Sequence, residues 1–159
     1  EAINCAPRAT VLTTPYFIPS EALLTALRSA AMRGVHVVLI VPARVDSLLV
    51  RFASNAYFND LLPYGVEVLR FSEGLLHTKS MVIDNEVTIF GTVNLDLRSF
   101  ELNFEVSVIA YDQPFSAATR ALQARYAAQS QSIDPAQWLA RPWWRRTAEN
   151  AVQMMSPLL

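Results

Sequence analysis

The chain reads as an α/β domain with a mixed, largely parallel sheet flanked by helices. Three observations predict this class. Strand-like and helix-like runs alternate from Ala9 to Phe71, which argues for crossover units between parallel strands. Three further strand-like runs then follow with no helix between them, so part of the sheet is expected to be antiparallel. Finally, 52% of the 159 residues are hydrophobic, enough for a sizeable core and too many for a disordered chain.

The elements follow in order. Ala9 to Thr14 reads as a strand closed by Pro15. Ser20 can cap a helix through about Arg33, with Leu23, Leu27, Ala30 and Ala31 at helical spacing and Gly34 as the stop. Val35 to Val41 reads as a buried strand ending at Pro42, and Asp46 as the cap of a helix that Pro63 and Gly65 terminate. Val66 to Phe71 is a third strand. His77 to Ile83, Val87 to Phe90 and Leu102 to Tyr111 are the next three, with Asp84-Asn85 as a tight turn between the first two. Gln113 to Ser130 is Ala-rich and helical, with Phe115, Ala118, Leu122, Tyr126 and Ala127 roughly on one side. These elements make residues 1–140 a single domain. Residues 141–159 form a C-terminal amphipathic segment, in which Trp144, Ala148, Ala151, Val152 and Met155 share a stripe that suits either packing on the domain or a lipid interface.

Composition excludes several functions. The net charge is −1 and the pI near 6.1, without the basic excess expected of a general nucleic-acid binder. No apolar run approaches the roughly 18 residues that a membrane span needs. The single cysteine, Cys5, cannot form an internal disulfide framework. The chain shows no signal peptide and no initiating Met, as expected of a fragment or processed piece. Among 13 basic residues only Lys79 is lysine, and it lies two residues from His77, one of only two histidines. Lysine is a compact point charge that arginine does not imitate, so its use at this one place points to a task.

The informative segment is His77-Thr-Lys79-Ser-Met-Val-Ile-Asp84, followed by Gly91-Thr92-Val-Asn94. On a strand, His77 and Lys79 point to the same side. In the run from Leu102, apolar Leu102, Phe104, Val106 and Val108 alternate with polar Asn103, Glu105 and Ser107. If the two strands are neighbours, Glu105 can reach His77. These groups suit phosphoryl or phosphatidyl transfer. An imidazole attacks phosphorus or protonates a leaving alkoxide, and a carboxylate on its far nitrogen fixes the tautomer. An ammonium and an amide stabilise the non-bridging oxygens. His77, Glu105, Lys79 and Asn94 would fill these roles. Lys79 and Asn94 standing in for a cation, no metal or other cofactor is expected.

The spacing His-x-Lys-x4-Asp-x6-Gly-Thr-x-Asn resembles the signature of the phospholipase D superfamily. Thr14-Pro-Tyr-Phe-Ile-Pro19, the run from Gly91 to Phe100, Leu102-Asn-Phe-Glu105 and the terminal Ser156-Pro-Leu-Leu159 are similar to bacterial cardiolipin synthases, and the chain looks like the C-terminal half of such an enzyme. The resemblance implies a phospholipase D-like half domain in which two phosphatidylglycerol molecules are joined and glycerol is released through a phosphohistidine. By analogy His77 is the general acid/base, although the residues themselves leave nucleophile and acid open. Lys79 and Asn94 bind phosphate with Thr92 nearby, Glu105 holds His77, and Asp84 stabilises local structure rather than touching substrate. The implied partners are phosphatidylglycerol, a membrane surface, and either the N-terminal half of the enzyme or a second copy of the chain. The full enzyme is placed at the bacterial inner membrane. His36 has no lysine partner and is no second motif, so one chain supplies one half-site. Two other functions compete: a homodimeric phosphodiesterase or nuclease, and an isolated half that catalyses nothing.

Overall fold

The computed structural model describes residues 2–96, 99 and 103–154. Strands β1 (Ala9–Thr13), β3 (His36–Pro42) and β4 (Glu67–Phe71) form a parallel trio. Beside β1 run β5 (Ser80–Ile83), β6 (Val87–Gly91) and β8 (Ser107–Ala110), each antiparallel to its neighbour. Beside β4 runs β9 (Ser130–Ser132), also antiparallel. The sheet order is therefore β8-β6-β5-β1-β3-β4-β9. The mixed sheet matches the expected class, with parallel pairing confined to its centre.

Helices cover both faces. Leu12, Val37, Leu39 and Val68 pack with Leu24 and Leu27 of α2 (Glu21–Met32) and Ala53 and Phe58 of α3 (Leu48–Leu61). The alternate residues Val11, Val38, Ile40 and Leu69 face Tyr126 and Ala127 of α4 (Gln113–Ala128). A strand buried on both faces needs apolar residues at every position, which is why β3 reads as an unbroken Val-Val-Leu-Ile-Val run. His36 opens that strand, exposed, with Nε2 3.2 Å from Glu67 Oε2.

Several boundaries differ from the sequence reading. Ser47, not Asp46, caps α3, its hydroxyl accepting from Val50 N at 3.3 Å. Regular pairing of β5 begins at Ser80, so His77 to Lys79 lead into the strand rather than belonging to it. The run expected from Leu102 is a strand only over Ser107–Ala110, and Leu102 lies outside the described residues. Phe104, Val106 and Val108 do not form an inward apolar face; they are exposed at the sheet's edge. On α4 the fully buried residues are Ser116 and Gln123, while Ala118 is exposed. Polar side chains are tolerated there because they are satisfied. Thr88 Oγ1 donates to Ser116 Oγ at 2.8 Å, and Gln123 Nε2 donates to Val11 O at 3.1 Å and to Ser80 Oγ at 3.2 Å.

The tail comprises α5 (Pro135–Leu139), capped by Asp134, and α6 (Trp143–Gln153), which packs on α3. Glu149 is the buried residue of α6, whereas Trp144, Ala148 and Ala151 are exposed. Met155 and the terminal Ser156-Pro-Leu-Leu159 lie outside the described residues.

Asp84 closes the β5–β6 turn. Asp84 and Asn85 have φ of 52° and 60°, and Glu86 N donates to Ile83 O at 3.0 Å. Two consecutive left-handed residues match the strand twist of a two-residue hairpin, and Asp and Asn adopt that conformation more readily than other side-chain-bearing residues. The Asp84 carboxylate, 5% exposed, accepts from Arg8 N at 3.0 Å and Ala9 N at 2.7 Å. It thereby ties the start of β1 to the hairpin. Asp84→Ala leaves those two amides unmet and places alanine at positive φ, so it is expected to lower stability by about 2–4 kcal/mol. Asp84→Asn keeps one acceptor and tolerates the backbone, and should cost visibly less. Urea midpoints of the two variants check the ordering.

Candidate active site

The carboxyl ends of parallel strands, where side chains and loops converge outside the sheet, are the usual place for ligands in open α/β folds. Thr13, the last residue of β1, pairs with Ser80, the first of β5. Because β5 runs the other way, the residues just before it emerge at that same end. His77 is exposed and Lys79 half-buried there, with Lys79 Nζ donating to His77 O at 3.0 Å.

A second, two-stranded sheet brings in the amide. Strand β2 (Phe17–Ile18) pairs in parallel with β7 (Leu95–Asp96). The Thr14 hydroxyl joins them, donating to Tyr16 O at 2.7 Å and accepting from Leu95 N at 3.2 Å. This explains the Thr14-Pro-Tyr-Phe run physically: it is a brace for the loop that carries Asn94. Phe17 is core, whereas Tyr16 joins Asn94, Asp96 and Ser99 in lining a cavity of about 240 Å³. Asn94 Nδ2 donates to Ser99 Oγ at 3.2 Å, and its Oδ1 is buried without a partner among the described residues. Turning the amide over would let Oδ1 accept from Ser99 and present Nδ2 to the cavity as a donor.

Gly91 and Thr92 hold the segment bearing Glu105. A methyl group on Gly91 would collide with the carbonyl oxygen of Val106, so only glycine permits this approach. Thr92 then grips Val106 from both sides: Thr92 N donates to Val106 O at 2.9 Å, and Val106 N donates to Thr92 Oγ1 at 3.0 Å.

One expected contact is not made. The strands that His77 and Glu105 lead into, β5 and β8, are not neighbours, because β6 lies between them. Among the described residues the His77 ring has no hydrogen-bond partner, and Glu105 Oε1 instead accepts from Asn103 Nδ2 at 3.3 Å. The charge of Glu105 is felt at Lys79. Burial lowers the Lys79 ammonium below its ordinary 10.5, and the carboxylates of Glu105 and then Asp96 oppose that shift. Sequence reasoning missed Asp96, which is buried and accepts from Ser99 N at 2.6 Å, although its place two residues after Asn94 puts it on the same strand face. It also missed Thr13, whose buried hydroxyl has no partner among the described residues and which lines a second cavity of about 180 Å³ with Lys79. Arg98 and Glu101 lie outside the described residues.

The direction of the Lys79 shift makes a prediction. Between the lowered folded-state value and 10.5 the unfolded chain binds more protons, so this group makes stability rise with pH across that alkaline window. Its charge is therefore held at the site against a folding cost. Lys79→Met should leave the melting temperature at neutral pH unchanged or slightly raised and remove that alkaline gain. Calorimetry at several pH values checks both.

Comparison with known proteins decides the family. The profile described as "Cardiolipin synthase, PLD-like domain" matches residues 1–126. The chain belongs to the cardiolipin synthase PLD-like family. Within that family it is 46% identical over 158 residues to cardiolipin synthase A of Edwardsiella ictaluri, covering 99% of this chain and 32% of the relative. It is 49% identical over 149 residues to cardiolipin synthase A of Escherichia coli O157:H7 (strain EC4115), covering 94% of this chain and 31% of the relative. The chain thus spans about a third of the length of these curated relatives. In fold, this PLD-like chain is similar to Nuc from Salmonella typhimurium, a phospholipase D family member, with a TM-score of 0.75 at 20% identity over 83% of this chain and 86% of that one.

Proposed function

We propose that this chain is the C-terminal, motif-bearing lobe of an enzyme that makes cardiolipin from two phosphatidylglycerol molecules. What carries the reading is the placement of His77 and Lys79 where β1 ends and β5 begins, with the loop bearing Asn94 braced to Thr14 just beyond β1, in a chain 46% identical to a protein named cardiolipin synthase A. An imidazole nitrogen attacks phosphorus and the bond to the glycerol oxygen breaks. An acid gives that oxygen a proton, and glycerol leaves. The hydroxyl of a second phosphatidylglycerol then attacks the phosphohistidine, giving its proton to the same group now acting as base, and the first imidazole is restored.

His77 supplies one of the two imidazoles, by family analogy the acid/base, and is suited to it by its exposed ring. Lys79 and Asn94 stabilise the non-bridging oxygens, with Thr92 fixing the wall beside them. Glu105 acts through Lys79, sustaining its positive charge. The second imidazole comes from the complementary lobe of the same enzyme or from a second copy of this chain. The reaction belongs at the surface of the bacterial inner membrane. No helix among the described residues is long and apolar enough to cross a membrane.

The test is incubation of the enzyme, this chain with its complementary lobe, with phosphatidylglycerol vesicles. Glycerol release with a four-chain lipid product is expected, undiminished by a chelator, since Lys79 and Asn94 serve at the phosphate. Hydrolysis of an aryl phosphodiester or DNA without lipid transfer would overturn the reading. Strict loss of turnover in chelator would overturn the metal-free account.

A further inference from the structure

A second concentration of positive charge lies apart from His77. A cavity of about 270 Å³ opens between α3, α6 and the ends of β3 and β4, lined by Arg51, Arg70, Arg141 and Arg145 around Glu149 and Trp138. It shares no lining residue with the cavities beside Lys79 and Asn94. Four guanidinium groups and one carboxylate line it. Arg141 forks that carboxylate at 2.8 Å and 2.9 Å and stacks on Trp138 at 3.5 Å. Arg70 also stacks on Trp138, at 4.8 Å, and donates to Asn55 Oδ1 at 2.8 Å. These contacts give the pocket a rigid floor.

The rim is different. Among the described residues Arg51 and Arg145 have no carboxylate in ion-pair range, and each lies only against a ring, Phe52 and Trp144 respectively. Glu149 is the carboxylate lining this cavity, and Asp134 lines the adjoining one, against four arginines. Burial lowers the Arg70 guanidinium below its ordinary value, and Arg141 and Arg51 push it further down against the opposing pull of Glu149. Such mutual repulsion is relieved by an anion, and planar guanidinium donors fit phosphate oxygens in pairs. The hollow continues past the shared Arg70, Trp138 and Arg141 into a neighbouring cavity of about 290 Å³ along β9, giving room for a group larger than the oxyanion itself.

We propose that this arginine pocket binds a phosphate group, at a site separate from the cavities beside Lys79 and Asn94. The proposal does not depend on the role given to His77. The phosphate belongs either to a glycerophospholipid headgroup or to free phosphate, and the chemistry of recognition is the same for both.

The test titrates inorganic phosphate into the His77→Ala/Lys79→Met chain at fixed ionic strength, so that the first site is disabled. Saturable binding is expected, and adding Arg51→Gln with Arg145→Gln should weaken it at least about tenfold, the scale of one lost charge-assisted hydrogen bond. Both arginines are exposed, so folding is not at stake. Flotation with phosphatidylglycerol-containing vesicles, compared with phosphatidylcholine alone, then separates the sources. Arginine-dependent flotation assigns a lipid headgroup, and phosphate binding without it assigns free phosphate. Absence of phosphate binding in that background, an affinity indifferent to the two arginines, or binding of DNA alone would overturn the proposal. Turnover of the otherwise unaltered enzyme reports on His77 independently.

Discussion

On the proposed function, replacing His77 with alanine is expected to lower phosphatidyl transfer by at least about 10³-fold and to leave the fold intact. The two halves of that expectation have separate grounds. The chemical half rests on the imidazole being the group at this site able to attack phosphorus or to pass a proton to a leaving alkoxide. The structural half rests on exposure: the ring contributes no hydrogen bond among the described residues, and substitutions at such places usually change stability by no more than about 0.5 kcal/mol. A structural histidine would behave the opposite way, with activity and melting temperature falling together. Initial rates with phosphatidylglycerol vesicles, set beside a thermal melt of the same preparation, distinguish the cases.

Replacing Glu149 with alanine has the largest expected effect on stability. This carboxylate, 2% exposed, holds Arg141 through two short bonds and accepts from Asn55 Nδ2 at 3.2 Å. Asn55 in turn accepts from Arg70, so one carboxylate pins α3, α6 and β4 together. Its removal leaves two substantially buried guanidinium groups facing each other without a counter-charge. Breaking a buried ion pair from one side costs about 3–5 kcal/mol, mostly because the remaining charge is stranded. Glu149→Gln keeps an acceptor for Asn55 or Arg141 and should fall between wild type and alanine. Urea denaturation with an unchanged slope and a lower midpoint is the expected signature.

Local signals made much of the fold legible, and tertiary ones did not. Strand β3 was plain because burial on both faces leaves an uninterrupted apolar run. The β5–β6 hairpin was plain because Asp84 and Asn85 suit a left-handed turn. The inward face of α4 was misread because Ser116 and Gln123 look like solvent residues until their partners on β1, β5 and β6 are known. Strands β2 and β7, two residues each, are too short to show any alternation. At the site, His77, Lys79, Asn94 and Asp84 stood out through spacing. The pairing of Glu105 with His77 required β8 to lie beside β5, and strand order is not written in the alternation of either strand. The intervening β6 moves the influence of Glu105 to Lys79. The arginine pocket was invisible for a related reason: Arg51, Arg70, Arg141 and Arg145 are scattered along the chain, and only the packing of α6 on α3 gathers them.

The central claim is that the His77 ring meets a phosphorus centre beside Lys79. A crystal structure of the enzyme with a vanadate-type phosphate analogue tests it most directly. The account predicts the central atom about 3 Å from a ring nitrogen of His77, with its oxygens on Lys79 Nζ and the Asn94 amide. An oxyanion bound elsewhere, with the His77 ring turned from Lys79 and no density between them, would contradict it.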